Sequence, residues 1–180
     1  IEKAIKRGTG ELPGVTYEEI TYEGYGQGGV AIMVEALSDS KNRTTAEIRN
    51  TFSKKGGNLS GAGSVAWQFK RKGFIVIDKD KADEETLFNL AIDAGAEDFK
   101  AETSSYDITT SPEKFEQVKN AIPKAGIQYT LAEITQLPSS EVKITDEQTA
   151  RKVLDLVETL EEHEDVQHVY GNFDIPDEII

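Results

Sequence analysis

The stretch that decides the fold begins at Phe74-Ile-Val-Ile77 and runs through Asp83-Glu-Glu-Thr-Leu-Phe-Asn-Leu-Ala-Ile-Asp-Ala94 to Asp98-Phe-Lys-Ala101 and Tyr106-Asp-Ile-Thr109. The first short apolar run, rich in β-branched residues, predicts a buried strand. Asp83 is a good helix cap, and Leu87, Leu90, Ala91 and Ala94 recur at helical spacing, so residues 83–94 should form a helix that lays one side on a sheet. Strands over 98–101 and 106–109 follow. A second helix should then run from 112 to about 121, opened by Ser111 as cap and Pro112 at its first position, with Phe115, Val118 and Ile122 as its apolar stripe. Pro123 should kink or end that helix, because it lacks an N–H and clashes with the preceding turn. A strand over 129–135 completes the order βαββαβ, the ferredoxin-like arrangement.

On the N-terminal side, strands over 15–22 and 30–37 are expected, joined by Gly24-Tyr-Gly-Gln-Gly-Gly29. A helix over 42–55 follows, in which Thr44 and Glu47 match a capping box, Ile48 and Phe52 share a face, and Gly56 stops the chain. Residues 64–69 read as a half-buried strand, with Val65, Trp67 and Phe69 on one side; Trp67 is accordingly read as core rather than as a base-stacking platform. On the C-terminal side, a short strand over 142–144 leads into a helix over 146–162. Thr145 and Gln148 match a second capping box there, and Val153, Leu154, Val157 and Leu160 should face inward. A last strand spans 166–173. The opening hairpin and helix cannot close a core alone, and the last helix and strand supply what they lack. The fold class is therefore α+β: two mixed α/β domains, the second a ferredoxin-like unit inserted into the first. The boundaries read as 15–72 with 139–180 for the outer domain and 73–138 for the inserted one. Ile1-Glu-Lys-Ala-Ile-Lys-Arg7 reads as the end of a helix closed by Gly8, with no initiating Met.

The chain has 180 residues, no cysteine, 37% hydrophobic and 29% charged residues and a formal charge of −13. These values describe a globular chain; its apolar runs fall far short of the roughly 20 residues that a membrane span requires. Without cysteine there are no disulfides, thiolate nucleophiles or cysteine-held metals, which suits a cytoplasmic protein. The charge is unevenly placed: residues 1–72 hold 11 of the 20 Lys and Arg but 8 of the 33 acids, and the remainder is strongly acidic. Residues 41–72 carry Lys41, Arg43, Arg49, Lys54, Lys55, Lys70, Arg71 and Lys72 against Glu47 alone. A solvated surface ordinarily intersperses both signs, so this window is a candidate face for an anionic partner.

Other motifs read more plainly. Gly24-x-Gly26-x-x-Gly29 matches a dinucleotide fingerprint in letters, but a strand follows where the phosphate-holding helix should stand, so a hairpin turn is expected. The glycine-rich stretch Gly56-Gly-Asn-Leu-Ser-Gly-Ala-Gly63 is either a backbone-amide cradle for phosphate or an ordinary mobile loop. Ser38-Asp-Ser-Lys41 and Ser111-Pro-Glu-Lys114 fit an SxxK string without the companion motifs of serine acyl enzymes. His163 and His168, with Glu161, Glu162, Glu164 and Asp165 nearby, lie across a helix-to-strand junction that does not align metal ligands, and a solvated acidic turn is expected.

Tyr22-Glu-Gly-Tyr-Gly-Gln-Gly-Gly29, Asn42-Arg-Thr44, Lys54-Lys-Gly-Gly-Asn-Leu59, Gly63-Ser-Val65, Ala94-Gly-Ala-Glu-Asp-Phe99 and Asp165-Val-Gln-His-Val-Tyr-Gly-Asn172 together resemble the YebC/PmpR family. Its organellar relatives include the mitochondrial translational activator of cytochrome c oxidase. The resemblance implies an N-terminal basic helical domain, of which residues 1–14 would be the remnant and linker, followed by two mixed α/β domains. It also implies a DNA-binding transcriptional regulator or a factor acting on the ribosome, with no catalytic residue set. The expectation is a non-enzymatic protein that uses no metal, cofactor or small-molecule substrate. Its partner would be DNA or ribosomal RNA, held by the eight cations. An enzyme with an acidic cleft and a protein-interaction module are the rival readings.

Overall fold

The computed structural model describes residues 15–179, so the expectations for residues 1–14 lie outside the described residues. Contacts divide the described chain into two units. One comprises residues 15–69 and 138–179; the other, Lys70–Leu137, is inserted into it.

In the first unit, β1 (Glu18–Tyr25) pairs antiparallel with β2 (Ala31–Ser38), in a register from Glu18 opposite Ser38 to Tyr25 opposite Ala31. With β3 (Asn58–Ser60) and β9 (Val166–Gly171) they form a sheet in the order β3-β1-β2-β9. The helices α1 (Lys41–Lys54) and α4 (Glu147–Glu162) pack on it. The nearly unbroken apolar run of β2 has a simple cause: both of its faces are covered. Ile32, Val34 and Ala36 alternate onto one face and join Ile48 and Phe52 of α1 and Val153, Leu156 and Leu160 of α4. Ala31 and Met33 point the other way and meet Val65 and Phe69. A small parallel pair, β8 (Val142–Lys143) with β10 (Phe173–Asp174), completes the unit.

The second unit runs β4 (Phe69–Asp78, entering from the last residue of the first unit), α2 (Glu84–Ala94), β5 (Asp98–Ala101), β6 (Ser105–Thr110), α3 (Phe115–Lys124) and β7 (Leu131–Pro138, ending in the first). Its sheet order is β5-β6-β4-β7. That is the ferredoxin-like topology expected from the βαββαβ order. Ile75, Ile77, Tyr106 and Ile108 on one sheet face meet Leu87 and Ala91 of α2 and Phe115, Val118 and Ile122 of α3. Asp83 caps α2 by accepting from the Thr86 N–H, as its position predicts. Ser111 accepts from Lys114 N–H in a turn ahead of α3, which begins three residues later than expected. Pro123 sits in the last turn of α3, one residue before its end.

Local expectations fail at several places, among them α4, where Leu156 rather than Leu154 is buried in the core. Residues 64–69 are not a strand: a 3-10 turn over Ala66–Gln68 interrupts the alternation, so Val65 and Phe69 are buried while Trp67 is 68% exposed. At about three residues per turn, the residue two beyond Val65 points away from it rather than alongside. Thr44 does not cap α1, which starts at Lys41; a buried carboxylate, Asp165, takes its hydroxyl instead. Asp146, not Thr145, caps α4, because its carboxylate accepts both the N–H and the hydroxyl of Thr149. Gly24 and Tyr25 belong to β1, and residues 58–60, read as loop, form the edge strand β3.

Candidate nucleic-acid interface

The eight basic residues meet different fates. Arg43 is committed to acids: its guanidinium lies 2.6 Å from Asp165 Oδ2, 3.3 Å from Asp39 and 3.8 Å from Glu47. The hydrogen bond to Asp165 holds the Arg43 guanidinium above its ordinary range. Lys55 pairs with Asp155 at 2.9 Å and Lys72 with Glu97 at 2.7 Å. Lys41, Arg49, Lys54, Lys70 and Arg71 are exposed and make no ion pair among the described residues. The first three lie on α1 in the first unit, and the last two open the second unit on β4.

On α1, Arg49 sits on a polar face, whereas Lys41, in the first turn, falls at the azimuth of the buried side. At about 100° per residue, positions 42, 46, 49, 50 and 53 share the side opposite the buried Thr44, Ile48 and Phe52. Arg49 is surrounded on that side by Asn42, Ala46, Asn50 and Ser53, with Lys54 at one margin. None of these neutral side chains competes for the cations; Asn42, Asn50 and Ser53 donate and accept hydrogen bonds, and Ala46 does neither.

A buried polar network anchors the same helix. Asp165, 3% exposed, accepts from Arg43 and from the Thr44 hydroxyl at 2.8 Å. Because Thr44 spends its proton on Asp165, the 2.6 Å contact between Ser38 Oγ and Thr44 Oγ1 has Ser38 as donor. The Asp165 N–H donates to His163 Nδ1, so the imidazole proton is on Nε2 and faces Glu47 Oε2 at 2.6 Å. The expected solvated turn is thus partly interior: Asp165 is buried and His163 is held, while His168 stacks on Tyr170. Among the described residues no group of three or more His, Asp or Glu is arranged to hold a metal.

Within residues 24–29 and 56–63, Gly24 and Gly57 serve close packing. A Cβ on Gly57 would lie 2.2 Å from the Tyr25 carbonyl oxygen, and one on Gly24 would lie 2.6 Å from that of Asn58. The two segments approach each other backbone to backbone, which only glycine allows. Gly28 and Gly29 take positive φ before β2. Neither segment precedes a helix, so the dinucleotide reading has no structural support.

Glu23 was not legible as a site residue. Its buried carboxylate accepts from the N–H groups of Gly63 at 2.8 Å, Val65 at 3.0 Å and Ala66 at 2.7 Å. Burial pushes its carboxyl up, but the three amides outweigh burial and hold it below its ordinary value. They fix the turn that carries Trp67, whose indole N–H donates to the Ser64 carbonyl at 3.0 Å. An acid in mid-strand beside glycine was the one available sign. In the second unit a cleft of about 320 Å³ is lined by Glu84, Glu85, Phe88, Phe99 and Ala101. Its two acids occupy the first turn of α2, where they favour the helix dipole.

A chain of two mixed α/β units, one ferredoxin-like and inserted in the other, with an unneutralised cationic helix face, defines the class. The model of the TACO1/YebC second and third domain matches residues 17–173, and the chain belongs to this family. It is 55% identical over 181 residues to a probable transcriptional regulatory protein of Dictyoglomus turgidum and 54% identical over 183 residues to one of Natranaerobius thermophilus. The matches take in all of this chain and 72% and 73% of those proteins. A crystal structure of a conserved hypothetical protein from Aquifex aeolicus superposes with a TM-score of 0.79 at 48% identity, covering 99% of this chain and 74% of that one. No helix among the described residues is long and apolar enough to cross a membrane.

Proposed function

We propose that the protein is a non-catalytic, DNA-binding transcriptional regulator of the cytoplasm that contacts phosphates through a basic face. The observation that carries this is the α1 surface, where Lys41, Arg49 and Lys54 stand exposed and, among the described residues, unpaired by acids in a chain of net charge −13. Free cations in an anionic molecule localise attraction, and Arg49 can grip a phosphate through two N–H donors. Lys70 and Arg71, likewise exposed and without an ion pair among the described residues, offer phosphate contacts on the second unit. Arg43, Lys55 and Lys72, already paired with acids, contribute less. The names of the relatives agree with a regulatory role.

If Lys41, Arg49 and Lys54 each neutralise one phosphate, log affinity for duplex DNA falls against log salt with a slope of about −2.7. Arg49→Glu with Lys54→Glu should remove about two units of that slope and weaken binding by well over tenfold. Unchanged affinity and slope in the double variant would reject the face. A second reading, a translation factor on ribosomal RNA, is favoured by the exposed Trp67, since RNA loops offer unpaired bases. Co-sedimentation with ribosomes, set against duplex binding, separates the two.

A further inference from the structure

We propose that Trp67 is a stacking platform for an unpaired nucleobase, so that the first unit takes single-stranded nucleic acid at this turn. The inference rests on the nucleic-acid reading above and adds a base contact to its phosphate contacts.

The ring is exposed yet held. Trp67 is 68% exposed, while Val65 and Phe69 on either side are buried against Ala31 and Met33. Glu23 ties three amides of the same segment, and the indole N–H is bonded to Ser64. The side chain therefore needs little further ordering when a partner arrives, which favours binding. With its N–H already used, the indole offers its π face, the part that stacks on any base regardless of sequence.

The surroundings select the partner. Among the described residues of this unit, the only other large apolar side chain left exposed is Val15, so Trp67 is not part of an apolar patch that a protein helix would cover. A flat ring with polar edges fits an isolated indole better. Between Lys41 and Phe69, Lys41, Arg49 and Lys54 are exposed and make no ion pair among the described residues, which suits a ligand whose bases are strung on phosphates. Gly61 and Gly63, just before the turn, have no atom within 4 Å of where a Cβ would stand, so the approach there is bare backbone.

The chain holds a single tryptophan, so its fluorescence reports this position alone. The 180-residue protein is titrated with a short single-stranded oligonucleotide and with an abasic strand of equal phosphate number. The base-bearing strand should quench the indole and bind roughly tenfold more tightly than the abasic one. Trp67→Ala should bring the first affinity down to the second, and Trp67→Phe should recover part of the difference. Thermal unfolding of Trp67→Ala should stay near that of the parent, which separates lost contact from lost fold. Equal binding of both strands by the parent, or unchanged affinity in Trp67→Ala, overturns the inference. If Arg49→Glu with Lys54→Glu abolishes binding while Trp67→Ala does not alter it, stacking falls and the phosphate face stands. If no strand binds the parent, stacking falls, and the salt dependence of duplex binding decides the phosphate face separately.

Discussion

Replacing Glu23 by Gln should destabilise the first unit and release the turn that presents Trp67. The carboxylate uses Oε1 for Val65 and Ala66 and Oε2 for Gly63, each at hydrogen-bonding distance. Gln keeps the shape but offers one acceptor oxygen and an NH2 group, which must face an N–H donor on one side. One charge-assisted bond is lost outright, at about 1.5–3 kcal/mol, and the remaining two lose their charge, so a total of about 2–4 kcal/mol is expected. The pH dependence follows from the depressed carboxyl. A carboxylate favoured by the folded state contributes stability that is present above its unfolded value and lost as pH falls through the folded one. The parent should therefore weaken on acidification below the ordinary value of 4.5, and Glu23→Gln should lack this component of the acid limb. Urea unfolding followed by tryptophan emission reads the first unit directly, and its midpoint at neutral pH should drop clearly. A loss under about 0.5 kcal/mol, or an acid limb identical in both proteins, would show that the three amide contacts do not hold the turn.

Two further substitutions probe the packing that positions α1 and the glycine segments. Gly57→Ala forces a methyl group to within 2.2 Å of the Tyr25 carbonyl and should cost about 2–3 kcal/mol, whereas Gly61→Ala meets nothing within 4 Å and should stay within about 0.5 kcal/mol; equal thermal midpoints would refute the close-approach argument. Asp165→Asn weakens the acceptor of Arg43 and Thr44 at a buried site and should cost about 2 kcal/mol in urea unfolding, with full stability in the variant counting against a structural role for the network.

Much of the architecture was legible because it depends on local pattern. Leu87 and Ala91 behind the Asp83 cap, and Phe115, Val118 and Ile122 in α3, repeat at the period of the structure they form, and neighbours along the chain suffice to reveal it. Capping was less legible. Thr44 has the right spacing for a cap, but its hydroxyl bonds a carboxylate 121 positions away, and no local rule weighs a partner that distant. The cationic window was visible as composition, yet composition does not separate Arg49, facing neutral side chains, from Arg43, drawn to Asp165.

By itself the amino-acid sequence determined the kind and order of most elements, the edge strand β3 and the turn at 66–68 excepted, the insertion of one unit in the other, and the concentration of positive charge before Gly73, because these depend on residue type and spacing. Tertiary structure alone decided which cations remain available and which way Trp67 points. Ion pairs form between residues far apart in the chain, and a three-residue turn, pinned by the distant carboxylate of Glu23, is enough to move a side chain from the core face to solvent.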